Sequence, residues 1–298
     1  MSQARVNPIF ARARGRDPRE ASAWSPREIL VNDLHALVGR AYPRVRAMAR
    51  EKSWLFFEIL LPFLATSAFV LVYRALHAPE AYVGFAVIGG AMTAFWLNVV
   101  WMMAAQLWWE KSQGNLELYF AAPMDLMAVL LGMAIGGLVM SSARAVAVLL
   151  IATSLFGVTF QVSEWLLLGG VFLLTLTALY GLGMCLASLF LMWGREAWQV
   201  TQALIEPVYF VSGLNFPVGR LGFVGALAIS TIPFAVGLDA MRQLAFPGAA
   251  GLGGTPGPDV EALILVLMTV VFVLLARVMI RSIERMARRE GRLSIRWQ

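Results

Sequence analysis

From the N-terminus the chain is polar and Arg-rich to residue 24, mixed to residue 42, then apolar in long blocks separated by short polar breaks. Ser25, Pro26 and Glu28 form a helix start: a capping serine, a proline at the first helical position and a glutamate that closes a capping box. Leu30, Leu34, Leu37, Val38 and Ala41 then recur at helical spacing, with Arg27, Asn32, Asp33 and Arg40 mostly elsewhere on the wheel. The pattern predicts an amphipathic interfacial helix over 25–42, too polar to span and ended by Pro43. Six later blocks approach the ~20 residues needed to cross ~30 Å of hydrocarbon. They are Trp54–Tyr73, Tyr82–Trp108, Leu126–Phe156, Trp165–Trp193, Trp198 to about Leu214, and Val260–Ile280. A further apolar stretch, Leu221–Leu244, is interrupted by Pro233, Asp239 and Arg242.

Charge decides how that stretch is read. The basic residues crowd into the two ends, between Arg5 and Lys52 and between Arg281 and Arg296. Arginine-rich flanks stay on the cytoplasmic side, so both termini are expected inside and the number of crossings is even. Leu221–Leu244 is therefore expected to enter and leave on the outer side as a re-entrant hairpin. Loops 77–81 and 157–164 carry no Lys or Arg, as outer loops should, whereas Lys111 and Arg195 mark inner ones. The expected organisation is a basic cytoplasmic tail (1–24), the interfacial helix (25–42), an all-α six-span membrane domain (43–282) and a basic cytoplasmic tail (283–298).

Composition removes several functions. The chain is 59% hydrophobic and 14% charged, whereas soluble proteins carry about 25% charged residues. Its basic ends flank apolar spans, so membrane topology rather than nucleic acid explains the net charge of +6. The two histidines, His35 and His77, and the one cysteine, Cys185, supply no metal cluster and no disulfide. Lys52 and Lys111, the only lysines, each follow a glutamate, so no Gly-Lys-Ser/Thr phosphate loop exists. Protease and hydrolase motifs are missing too.

Charges inside spans cost ~2.5–3.5 kcal/mol each at the centre of a helix, so Arg144 and Glu206 need a partner, a cavity or each other. Glu58 is expected near the inner interface, and Asp239 and Arg242, three apart, share a helical face and are placed to pair. Trp96 and Trp101 lie deep in the second span. They fit core packing or a wall of a translocation pathway that also includes Arg144 and Glu206.

The stretch Trp109–Pro123 mixes charges, a glycine and a short helical pattern with Leu116, Tyr119 and Phe120 on one side, as for a small helix docking in a partner's groove. It resembles the coupling-helix region of ABC-2 type transporter permeases: Glu110, Lys111, Gly114, Leu116, Glu117, Leu118 and Pro123 match, while Asn115 and Ala122 replace a Thr and a Ser/Thr. Pro207, Ser212-Gly213, Phe216-Pro217 and Pro233 with Asp239 and Arg242 resemble that family's fifth span and extracellular re-entrant hairpin. The resemblance implies a dimer of membrane subunits with two copies of a cytoplasmic P-loop ATPase, which holds the ATP and Mg. It also implies export of a hydrophobic or amphipathic compound (a drug, a lipid or a lipid-linked glycan) across a bacterial-type plasma membrane. This chain itself would be no enzyme. Two rival readings are an ion-coupled secondary transporter using Glu206, Arg144 and Glu58, and a membrane scaffold that moves nothing.

Overall fold

A computed structural model describes residues 25–122, 124–193, 199, 203, 208–209, 212–216, 230–247 and 256–290. Outside them lie the basic tail 1–24, most of the expected fifth span with Glu206 and Pro207, Pro123, Pro217, the first arm of the expected hairpin and the chain after residue 290. The side chains of Trp101 and Glu117 also lie outside the description.

The regular elements among the described residues are all helices, without strands. The helices are α1 (Pro26–Arg50), α2 (Lys52–Ala75), α3 (Glu80–Leu97), which runs on through a π-helical segment (Asn98–Ala104), α4 (Gln106–Ser112), α5 (Asn115–Ala121), α6 (Leu126–Phe156), α7 (Trp165–Trp193), α8 (Pro233–Ala245) and α9 (Pro258–Glu290). Among the described residues, five stretches are long and apolar enough to cross a membrane: α2, α3 with its continuation to Ser112, α6, α7 and the apolar part of α9. The third and fourth expected spans reproduce α6 and α7 end to end.

α3 is the centre of the bundle. From Val83 to Trp96 nearly every residue is buried, beneath α2, α6 and α8. α2 and α9 instead show rows of exposed leucine, valine and phenylalanine, including Phe56, Leu61, Leu263 and Leu267. In water such faces would aggregate; in hydrocarbon they are simply solvated.

α1 departs from expectation in its length. It runs through Pro43 to Arg50. The proline leaves the carbonyl of Gly39 without its helical donor, at an exposed residue. The contact of α1 with the bundle is made by the mixed face. Leu30, Leu34 and Val38 are more than half exposed, while Asp33, Leu37, Arg40 and Arg44 turn toward the protein. The apolar stripe is free for the bilayer interface, and the mixed face grips α6.

That grip depends on two glycines four residues apart. A Cβ on Gly132 would sit 2.4 Å from the backbone oxygen of Leu37, and one on Gly136 would sit 3.1 Å from that of Ala41. Small residues at this spacing let two helix backbones approach closely. Gly132→Ile is expected to lift α1 off α6, and trypsin would then cut after Arg44 and Arg46 faster than in the parent protein. Unchanged cleavage would count against this contact.

α8 is buried along all 13 residues. At 1.5 Å per residue it reaches about 20 Å, short of the ~30 Å hydrocarbon core.

Candidate coupling site and polar anchors

The resemblance motif folds as two short helices around a tight turn. Gly114 has φ 76°, the left-handed region in which a side chain is strained and glycine is not. It ends α4, donating to the Lys111 carbonyl at 3.1 Å, and starts α5. α5 stops at Ala122, where the backbone turns extended. Asp125 then caps α6, its carboxylate accepting from the Met127 amide at 2.8 Å, and its own amide donates to Asp33 of α1 at 2.9 Å.

Glu110 is the hub of this corner. It is 3% exposed and its carboxylate accepts from Arg40 of α1, from Gln106 Nε2 at 2.8 Å and from the Tyr119 hydroxyl at 2.8 Å. The Arg40 guanidinium also lies over the Tyr119 ring, 5.5 Å from its centre. Burial, and donation to Glu110, push the Tyr119 hydroxyl pKa well above its ordinary value, so it stays a donor. Arg44, whose own pKa burial lowers, donates to the Met102 carbonyl at 3.2 Å. α1 is thus tied to both the motif and the π-helical segment that precedes it. A double-mutant cycle of Arg40→Gln and Glu110→Gln, read by thermal unfolding in detergent, should show a coupling of about 1–2 kcal/mol, because Arg40 retains partial access to water. Strict additivity would exclude the hub.

These positions correct the expected docking face. Leu116 is 1% exposed and Tyr119 turns inward, so neither presents itself to a partner. A seven-residue helix cannot bury and display the same stripe, and here the protein's own core takes it. Leu118, 66% exposed, faces outward, with Ser112 and Gln113 exposed beside it and Lys111 half-buried.

The model for the ABC-2 type transporter matches residues 38–246, more than half of the chain. The chain belongs to the ABC-2 type transporter family. A search of curated proteins finds no match. The protein is therefore a multi-pass ABC-type permease subunit, and its family is the non-catalytic transmembrane component, which implies partnership with an ATPase subunit.

The permease gives Arg144 a partner, one of the outcomes expected for a charge inside a span. Arg144, 5% exposed, pairs with Glu58 of α2 and donates to the Ser141 hydroxyl at 3.0 Å. Glu58 is thus the partner of a buried arginine rather than a residue merely near the interface. Trp96 is 2% exposed and lies against Phe234 of α8, ring centres 6.2 Å apart, in keeping with core packing, one of its two expected roles. Asp239 and Arg242 form no ion pair among the described residues. Arg242 donates to four backbone carbonyls, Gly213 at 2.5 Å, Leu214 at 2.7 Å, Phe85 at 2.8 Å and Phe216 at 3.2 Å. Asp239 turns instead to Gln243, whose amide donates to it at 3.2 Å and to Glu261 of α9 at 3.1 Å. Pro233 occupies the first turn of α8, where its missing N–H costs nothing.

Sequence reasoning missed Arg40 as a ligand of Glu110, Tyr73, which donates to the Asn215 carbonyl at 2.5 Å, and Glu261. Glu261 carried a signal: it is a carboxylate one residue inside the expected last span, where insertion is costly.

Proposed function

We propose that this permease is the membrane half of an exporter, acting as a dimer with two cytoplasmic ATPase subunits that carry the ATP and Mg. It moves a hydrophobic or amphipathic compound (a drug, a lipid or a lipid-linked glycan) out across a bacterial-type plasma membrane. Trp198 to about Leu214 supply the fifth of six spans and Leu221–Leu244 the re-entrant hairpin, both termini lying in the cytoplasm. Basic flanks at either end of the chain support that topology.

The observation that carries this reading is the Glu110 hub. Displacement of α5 by a partner would pass through Glu110 to α1 by way of Arg40, and along α4 to the π-helical segment of α3. π-helical turns are weak points in a helix and recur at functional sites. A push at the motif is therefore delivered to the central helix, with Leu118 as the contact.

Co-purification of the tagged permease from its native membrane in mild detergent tests this. A P-loop ATPase at equal stoichiometry is expected, and Leu118→Asp is expected to remove it while Leu263→Asn, on the lipid-facing side of α9, leaves it bound. Absence of the ATPase together with solute movement under an ion gradient would overturn the proposal in favour of a secondary transporter.

A further inference from the structure

α6 and α7 are consecutive, yet they scarcely touch. α6 lies against α1 and α3, and α7 against α9 and α8. The wedge left between them, at the end opposite the coupling motif, is a cavity of about 490 Å³, within the size range of small-molecule sites. Its floor includes Met92 and Phe95 of α3 and Met241 of α8, all buried. Its rim includes Val146 of α6 and Trp165 and Gly169 of α7, all exposed. Apart from Ser142 and the Trp165 indole, every lining side chain is apolar.

The segment joining α6 to α7 decides where an occupant enters. Residues 158–162 run without helical structure, pinned by the Gln161 amide donating to the Ala245 carbonyl at 3.0 Å. Phe160 and Val162 line the apolar cavity, while Val158, Thr159 and Gln161 line a separate, more polar pocket that includes Arg74. The Phe160 ring meets Phe246, centres 5.5 Å apart. This segment therefore caps the cavity toward water, and the exposed rim leaves it open toward the bilayer.

We propose that this cavity is a binding site for one acyl chain of a phospholipid in the leaflet opposite the coupling motif. A dry apolar cavity excludes water, and hydrocarbon is the solvent at its open side. Trp165 at the start of α7 marks the headgroup level, as interfacial tryptophans do. The chain end reaches Met241 of α8, so the bound lipid braces the short buried helix. This site is independent of cargo and of the export reading.

The test uses the full chain in vesicles of phosphatidylethanolamine and phosphatidylglycerol carrying a trace of a phosphatidylethanolamine with a diazirine near its acyl terminus. After illumination, mass spectrometry maps the adducts. Adducts are expected on Met92, Phe95 and Met241, which bulk lipid does not reach, as well as on lipid-facing Leu263 and Leu267. A Cβ at Gly169 would meet nothing within 4 Å, so Gly169→Trp has room to occupy the wedge. It should lower floor labelling roughly tenfold and leave Leu263 labelling unchanged. Labelling confined to Leu263 and its like in the unmodified protein would overturn the site, whether or not the variant folds. So would floor labelling that Gly169→Trp does not alter, or a protein–protein cross-link from Trp165 showing the wedge filled by another chain.

Discussion

Arg144→Met is expected to be among the most destabilising single substitutions in the membrane domain, and Glu58→Leu added to it is expected to restore most of the loss. Arg144 is buried and its charge is met by Glu58. Removing one member of such a pair strands the other and costs about 3–5 kcal/mol, whereas replacing both with apolar residues of similar size is often neutral or better. Here the local backbone raises the stakes. Pro62 lacks an N–H, so the carbonyl of Glu58 has no helical donor, and the Thr66 hydroxyl bonds back to the Pro62 carbonyl at 2.8 Å. The ion pair therefore sits where α2 is already weakened, and it pins that point to α6. Thermal unfolding in detergent should fall by roughly 5–10 °C for Arg144→Met and recover in the double variant. If transport in vesicles recovers too, the pair is structural. A stable double variant that no longer transports would return Arg144 to the substrate pathway.

The contrast between span ends and charge partners shows what one sequence carries. Lipid requires an unbroken apolar run with all backbone bonds satisfied inside the helix, so the ends of α6 and α7 were visible as composition. Partners across helices leave no such trace. Arg144 and Glu58 are 86 residues apart, and Arg40 and Glu110 are 70 apart, separations that no periodicity reports. Asp239 and Arg242 show the opposite error. Spacing put them on one face, but Arg242 found three carbonyls of a neighbouring loop and one of α3, and Asp239 found Gln243. At Pro43 the local rule failed because the residue that loses its donor, Gly39, is exposed. In the coupling motif, Gly114 was singled out by its match to the family pattern, and the structure supplies the reason, a left-handed turn that favours glycine. The inward turn of Leu116 was not readable, since a helix of seven residues offers apolar side chains to core and partner alike.

Arg242→Met should unlatch α8 from the loop at 212–216 without unfolding the spans. The guanidinium carries donors in a fixed fork, and here they gather three carbonyls of the loop and one of α3 into a single buried site. It also lies over the Phe85 ring, 5.3 Å from its centre. Methionine would fill much of the space and leave four buried acceptors unpaired, each worth about 1–3 kcal/mol of desolvation. Lysine offers three donors on one atom, and that atom cannot face the loop and α3 together, so Arg242→Lys should recover only part of the loss. The loop approaches so closely that a Cβ on Gly89 would lie 1.6 Å from the Leu214 oxygen. Gly89→Ala should therefore expel the loop by sterics while leaving Arg242 in place. Hydrogen exchange separates a latch from general instability. Both variants should expose the amides of 212–216 and of α8 while those of α6 stay protected. Uniform loss of protection across α6 and α8 would mean that Arg242 holds the whole bundle, and unchanged exchange at 212–216 would mean that the loop is held by Tyr73 alone.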